Sequence, residues 1–166
     1  MTPGMALSYR YEPTRADRDA VRTIVESTGF FSEEEADVAV ELVDERLAKG
    51  LASGYEFVFA EFDGRMLGYA CYGPIPATRE SFDLYWIATE KRVQGQGIGR
   101  AILAECERLL AERGGGRMYL DTSGRSQYAP THGFYERNGY RREAVLRDFF
   151  APGDDKVIYL KIIHPA

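Results

Sequence analysis

Gln94-Gly-Gln-Gly-Ile-Gly-Arg100 is the stretch whose reading decides the fold. Ahead of it runs Phe82-Asp-Leu-Tyr-Trp-Ile-Ala-Thr89, an almost unbroken apolar and aromatic segment that reads as a central strand buried on both faces. Behind it, Ile98, Ile102, Cys106, Leu109 and Leu110 recur at helical spacing. Strand, glycine turn and amphipathic helix in that order make a seat for an anion. The glycines let the backbone curl so that successive N–H groups point inward, and the helix start adds unpaired donors and the positive end of its dipole. A pyrophosphate fits such a cradle; a glycine-rich turn with no ligand is the alternative. A Walker loop would need Gly-Lys-Ser/Thr before the helix, and none is present. A dinucleotide fingerprint, Gly-x-Gly-x-x-Gly, would put its third glycine, counted from Gly95, at Arg100. Asp121 stands roughly 20 residues on, where that fingerprint wants an acid, but three or more strands precede the loop, whereas such a fingerprint opens its domain.

Outward from the loop, the chain reads as alternating elements. Ser8–Glu12 is a short strand, and Thr14 caps a helix with Val21, Ile24, Val25 and Thr28 on one face. Ser32-Glu-Glu-Glu35 is a capping box opening a second helix through Ala36, Val40, Val43 and Leu47, stopped near Gly50. Tyr55–Phe62 and Met66–Tyr72 flank Asp63-Gly64 and read as a hairpin. After the central strand and its helix, Gly114-Gly-Gly116 gives way to a fifth strand at Arg117–Thr122. A short helix spans Pro130 to Asn138. Tyr140–Phe149 and Val157–Ile163 close the chain as a strand pair, joined by a turn over Ala151–Asp155. The order β-α-α-β-β-β-α-β-α-β-β implies an α/β protein with a mixed sheet.

With 166 residues the chain reads as a single domain, 1–166, large enough to bury roughly 70% of its unfolded surface. The net charge of −5 argues against nucleic acid, which calls for a basic excess, and is compatible with a cationic substrate. No apolar run reaches the roughly 20 residues of a membrane span. MTPGMALSYR lacks the basic and apolar regions of a signal peptide. Cys71 and Cys106 sit in apolar stretches and read as buried thiols of a reducing compartment, so a cytoplasmic protein is expected. His132 and His164 are the only histidines; with no metal-ligand spacing, no metal is expected.

At this point the chain resembles the GNAT-type N-acetyltransferases. Gln94, Gly97 and Gly99 match the family's Gln/Arg-x-x-Gly-x-Gly/Ala loop, and Phe134-Tyr-Glu-Arg-Asn-Gly-Tyr140 matches its Phe-Tyr-Glu-Lys-x-Gly-Phe segment. The element order fits across nearly the whole chain. The resemblance implies a mixed, mostly antiparallel central sheet flanked by about four helices, its fourth and fifth strands splayed apart to admit acetyl-CoA as co-substrate. Backbone groups of Ile87 and Thr89 would pair with the pantetheine arm. Amides of Gln94, Gly95, Gln96, Gly97, Ile98, Gly99 and Arg100 would hold the pyrophosphate. A departure follows: the family often has Asn and Ala where this chain has Tyr128 and Thr131, so the Asn contact to pantetheine is not carried over.

An amine acceptor, small molecule or peptide, would then attack the thioester directly. That reaction calls for a proton acceptor for the amine and an acid for the leaving thiolate. Tyr135 matches the family's acid. Asp83, on one strand face with Tyr85, Ile87 and Thr89, matches a position where some members place a base; a carboxylate paired with an arginine is the alternative. Asp121, ending the fifth strand, is a further polar candidate, and Glu80 and Glu90 flank the strand. His132 reads as a residue of the short helix. Neither cysteine has a histidine nearby in sequence, which argues against covalent catalysis. Phe30 and Phe31, between the first two helices, fall where the family builds its acceptor site, and Phe149, Phe150, Asp154 and Asp155 are candidates for an opposite wall. Acceptor identity, acyl preference and the choice between monomer and homodimer stay open, and a silent acyl-CoA-binding sensor is the alternative function.

Overall fold

In a computed structural model, residues 6–166 are described; part of the leader reading rests on residues 1–5, which lie outside them. Among the described residues seven strands lie in the order β1-β2-β3-β4-β5-β7-β6, a mostly antiparallel sheet in which β4 and β5 run parallel. Four α-helices accompany it among the described residues. The chain separates into two compact units, residues 1–74 with 84–109, and residues 75–83 with 110–166.

The first unit holds β1 (Ser8–Arg10), α1 (Ala16–Ser27), α2 (Glu33–Lys49), β2 (Glu56–Phe62), β3 (Arg65–Pro74), most of β4 (Ser81–Thr89) and most of α3 (Ile98–Glu112). Ser32 makes the expected capping box: its hydroxyl accepts the Glu35 N–H while the Glu35 carboxylate accepts the Ser32 N–H. Thr14 behaves differently from the expectation. Helix α1 begins at Ala16, after Arg15, and the Asp17 carboxylate takes both the N–H and the hydroxyl of Thr14. Asp17 is itself gripped by Arg10 at 2.7 and 2.8 Å, so the charge pair, rather than a threonine cap, sets this helix start. Asp63 and Gly64 both adopt positive φ (52° and 73°), the two-residue hairpin geometry that the Asp-Gly pair favours. Val21, Ile24 and Val25 of α1 pack with Ala36, Ala39 and Val43 of α2 against Phe57, Phe59 and Tyr69 of the hairpin. Each such buried large side chain contributes about 1.5–3 kcal/mol. Leu47, expected inward, is exposed on the last turns of α2.

The second unit holds the start of β4, β5 (Gly116–Ser123), α4 (Ala129–Arg137), β6 (Arg141–Ala151) and β7 (Asp154–Ile163). The closing strands are longer than expected. Ala151 pairs with Asp154, which leaves only Pro152-Gly153 as the turn. Strand β7 pairs with β5 from Gly116↔Ile163 to Ser123↔Lys156, and β6 pairs on the other side of β7.

Strand β4 corrects the expectation of burial on both faces. Leu84 and Ala88 are buried, whereas Asp83, Tyr85, Ile87 and Thr89 on the alternate face are partly or well exposed. The parallel pairing with β5 covers only Ser81↔Arg117, Phe82↔Met118 and Asp83↔Tyr119. The apolar run therefore does not signal coverage by protein along its whole length.

Candidate active site

In the first unit, the glycine turn curls as its composition demands. Gly95 and Gly97 hold positive φ (79° and 83°), and a Cβ built on either would meet no atom within 4 Å. The backbone there is thus bent toward open space. The first bond of the following helix runs from Ala101 N–H to Gly97 C=O at 3.0 Å, so the amides of Ile98, Gly99 and Arg100 precede the helical ladder. These features fit a diphosphate: donors, the positive end of the α3 dipole, and no side chain in the way.

Gln94, at the lip of the turn, sends its side-chain amide to Thr89 C=O at 3.4 Å, tying the turn back to β4. Glu90 is buried and binds Arg65 and Arg92, the latter at 2.8 Å, which makes it an anchor of the turn. Ile87 and Thr89 lie on the partly exposed face of β4, beyond the last residue paired with β5. Phe30 is exposed and packs edge-on against Phe31 at 5.3 Å; Phe31 in turn lies 4.9 Å from Trp86 and against the unit's core. The two aromatics therefore differ, Phe31 belonging in part to the core and Phe30 to the surface.

In the second unit, Asp83, Asp121 and Lys156 form an electrostatic group. Burial pushes the Asp83 carboxyl up, the Asp121 charge pushes it further, and Lys156 opposes both. Asp83 makes no hydrogen bond among the described residues, so an arginine partner, the alternative for this carboxylate, is not what holds it. Asp121 is exposed and bound to Lys156 at 3.0 Å. Lys156 was missed by sequence reasoning because the turn was placed just before it. Register shows why it matters: Lys156 faces Ser123 across β5–β7, two residues beyond Asp121 on β5.

Tyr135 is almost fully buried on α4, 5.7 Å from the ring of Tyr140 and 6.0 Å from that of Tyr159. Burial raises its phenol well above the ordinary range. Its hydroxyl has no hydrogen-bond partner among the described residues. His132 holds the helix in place through a 2.8 Å contact between Nε2 and Ser123 C=O, in keeping with a residue of the short helix. Asp154 is taken up by Ser123 and Arg125, and Asp155 accepts the Asp148 N–H, so both serve the late turn. Cys71 and Cys106 are buried free thiols, pushed upward chiefly by that burial, and neither resembles an activated nucleophile.

Comparison with known proteins adds a second line. Over 96 residues, 57% of this chain, the sequence is 33% identical to the uncharacterized N-acetyltransferase YuaI of Bacillus subtilis. The match spans 53% of that relative's length, about half. A crystal structure of a GNAT-family protein from Desulfovibrio desulfuricans superposes with a TM-score of 0.93 at 52% identity, covering 95% of this chain and 99% of that one. The PaiA N-acetyltransferase of Thermoplasma acidophilum, solved in complex with coenzyme A, shares the fold with a TM-score of 0.70 at 20% identity, covering 95% and 99% of the two chains. The model of the acetyltransferase (GNAT) family matches residues 19–140, a segment that runs from α1 through the glycine turn to Tyr140 just past α4; the chain belongs to that family.

Proposed function

We propose that the protein is an N-acetyltransferase that moves the acetyl group of acetyl-CoA to an amine acceptor by direct attack. The observation that carries this reading is the open glycine turn at the start of α3, with its positive-φ glycines and unpaired amides. Acetyl-CoA supplies an activated acetyl thioester; the amides from Gln94 to Arg100 hold its diphosphate, and the backbone at Ile87 and Thr89 takes the pantetheine arm. Asp83 accepts the proton that the amine must lose. Its raised carboxyl suits that task, because a stronger base takes the proton more readily. Tyr135 gives a proton to the leaving thiolate. A phenol ordinarily near 10 stands above a thiol near 8.5, so donation is uphill in water, but the burial that raises the phenol also raises the proton affinity of a thiolate placed beside it. Phe30, Phe31 and Asp121 are assigned to the acceptor side, which suits an amine carrying an apolar portion or a second positive charge.

The test is release of free CoA thiol from acetyl-CoA in the presence of a panel of polyamines, aminoglycosides, amino acids and peptides. Release that depends on one class of acceptor supports the reading. Tight CoA binding with no acceptor-stimulated release replaces it with a sensor.

A further inference from the structure

Residues 91–104 carry the chain from the end of β4 through the glycine turn into α3. They hold three cations, Lys91, Arg92 and Arg100, and no acid, in a protein of net charge −5. Backbone amides and the α3 dipole already suit a diphosphate there, so this local reversal of charge is surplus to it.

Part of the surplus is held in place. Glu90 is buried, its N–H donates to Leu67 C=O at 2.8 Å, and its carboxylate is divided between two guanidiniums. Oε1 accepts from Arg92, from Nε at 2.9 Å and from Nη2 at 2.8 Å, and Oε2 accepts from Arg65 at the start of β3. The Glu90 side chain is 10% exposed, whereas those of Arg65 and Arg92 are 56% and 79% exposed. One buried negative charge therefore holds two exposed positive charges side by side. Keeping like charges together costs Coulomb energy, and anchoring the turn would need only one of them. Each guanidinium also has N–H donors beyond those given to Glu90, in the planar fork that suits a phosphate.

The clamp lies close to the diphosphate seat. Val93 N–H donates to Glu90 C=O at 3.0 Å and Gln94 N–H to Lys91 C=O at 3.3 Å, so one tight turn joins the clamp to the first residue of the glycine turn. From Arg92 to Gln94 is two residues, about 7 Å of chain at most. Coenzyme A carries a phosphate monoester on the 3′ position of its ribose, one sugar away from the diphosphate. Such a monoester has a charge of about −1.5 to −2 at neutral pH.

We propose that Arg65 and Arg92, held by Glu90, bind the 3′-phosphate of coenzyme A, so that the protein distinguishes coenzyme A from its 3′-dephospho form; this rests on the acetyl-CoA reading above. Arg100 is the competing cation. It is exposed and has no hydrogen bond or ion pair among the described residues, so nothing holds its fork, and its own amide belongs to the diphosphate seat.

Calorimetry of the full chain with coenzyme A and with 3′-dephospho-coenzyme A tests the assignment, because the two ligands differ only in the monoester. The wild type is expected to bind coenzyme A at least about tenfold more tightly. Arg92→Gln and Arg65→Gln should each lower coenzyme A affinity toward the dephospho value and leave dephospho-coenzyme A binding unchanged. Arg92→Lys keeps the charge without the fork and should recover only part of the preference. A variant whose turn has come apart loses both ligands together, so a fall common to both overturns the proposal. A preference that survives both glutamine variants and disappears with Arg100→Gln overturns it too. If the wild type binds the two ligands alike, the proposal falls and the acetyl-CoA reading stands. If it binds neither, both fall.

Discussion

Desolvation acts on Tyr135 and Asp83 in the same direction, raising both, and the consequences differ because their ordinary ranges differ. The phenol is held fully protonated through the neutral range. Tyr135→Phe keeps the ring and its contacts and removes only the hydroxyl, so kcat should fall at least 100-fold while acetyl-CoA affinity and Tm barely move. Retention of more than about half of wild-type turnover, with chemistry rate-limiting, would mean that water protonates the thiolate. For Asp83 the raised carboxyl has two effects. In its proposed role as base it works only when ionised, so wild-type turnover should decline as pH falls through its raised value; Asp83→Asn should lose most at neutral pH and recover in part at high pH, where the amine is already neutral. On stability, a carboxyl raised by folding contributes fully below its unfolded value, near 3.9, and that contribution is lost as pH rises through the folded one. Asp83→Asn should therefore raise Tm at neutral pH, with the gain vanishing toward pH 4 in a melting series. Asp17 has the opposite sign. Burial would raise it, but Arg10 and Thr14 outweigh burial and hold it low, so its contribution is present at neutral pH and lost as pH falls through its folded value.

Among the elements, the glycine turn is where a backbone argument can be isolated. A valine at Gly97 meets no protein atom, but a β-branched residue resists a φ of 83°. Gly97→Val should lower CoA affinity at least tenfold, about 1.4 kcal/mol, with the fold intact. Unchanged affinity by calorimetry would move the diphosphate elsewhere. Local signals of this kind were legible in the sequence: the capping box at Ser32, the Asp63-Gly64 turn, and the placing of Asp83, Tyr85, Ile87 and Thr89 on one face of β4. Ser32→Ala should cost about 1 kcal/mol, measured by denaturant unfolding. Signals that depend on partners distant in sequence were not legible. Thr14 looks like a cap because Asp17 follows three residues later, yet Arg10 captures Asp17 and reverses the roles. The run from Phe82 to Thr89 looks doubly buried because hydrophobicity reports only that water is unfavourable there, not what replaces it.

At the level of the whole chain, the succession of elements followed from periodicity, but their order across the sheet did not. Strand β7 lies between β5 and β6, so the later strand of the closing hairpin sits inside the sheet and the earlier one, β6, forms its margin. That interchange puts Lys156 beside Asp121 and leaves Val145, Leu146, Phe149 and Phe150 uncovered, two outcomes that no local pattern announces. The two cysteines carry a practical consequence. Both sulfurs are buried among core side chains, one on β3 and one on α3, and both are held as unreactive thiols. A disulfide reagent in solution should find no thiol on the folded protein and two on the denatured chain. Continuous colorimetry of CoA release can therefore run in the presence of the enzyme without a background from it. The same reagent becomes a clock for opening of the first unit: acetyl-CoA, if it binds there, should slow the labelling of Cys106 in proportion to the stability it adds.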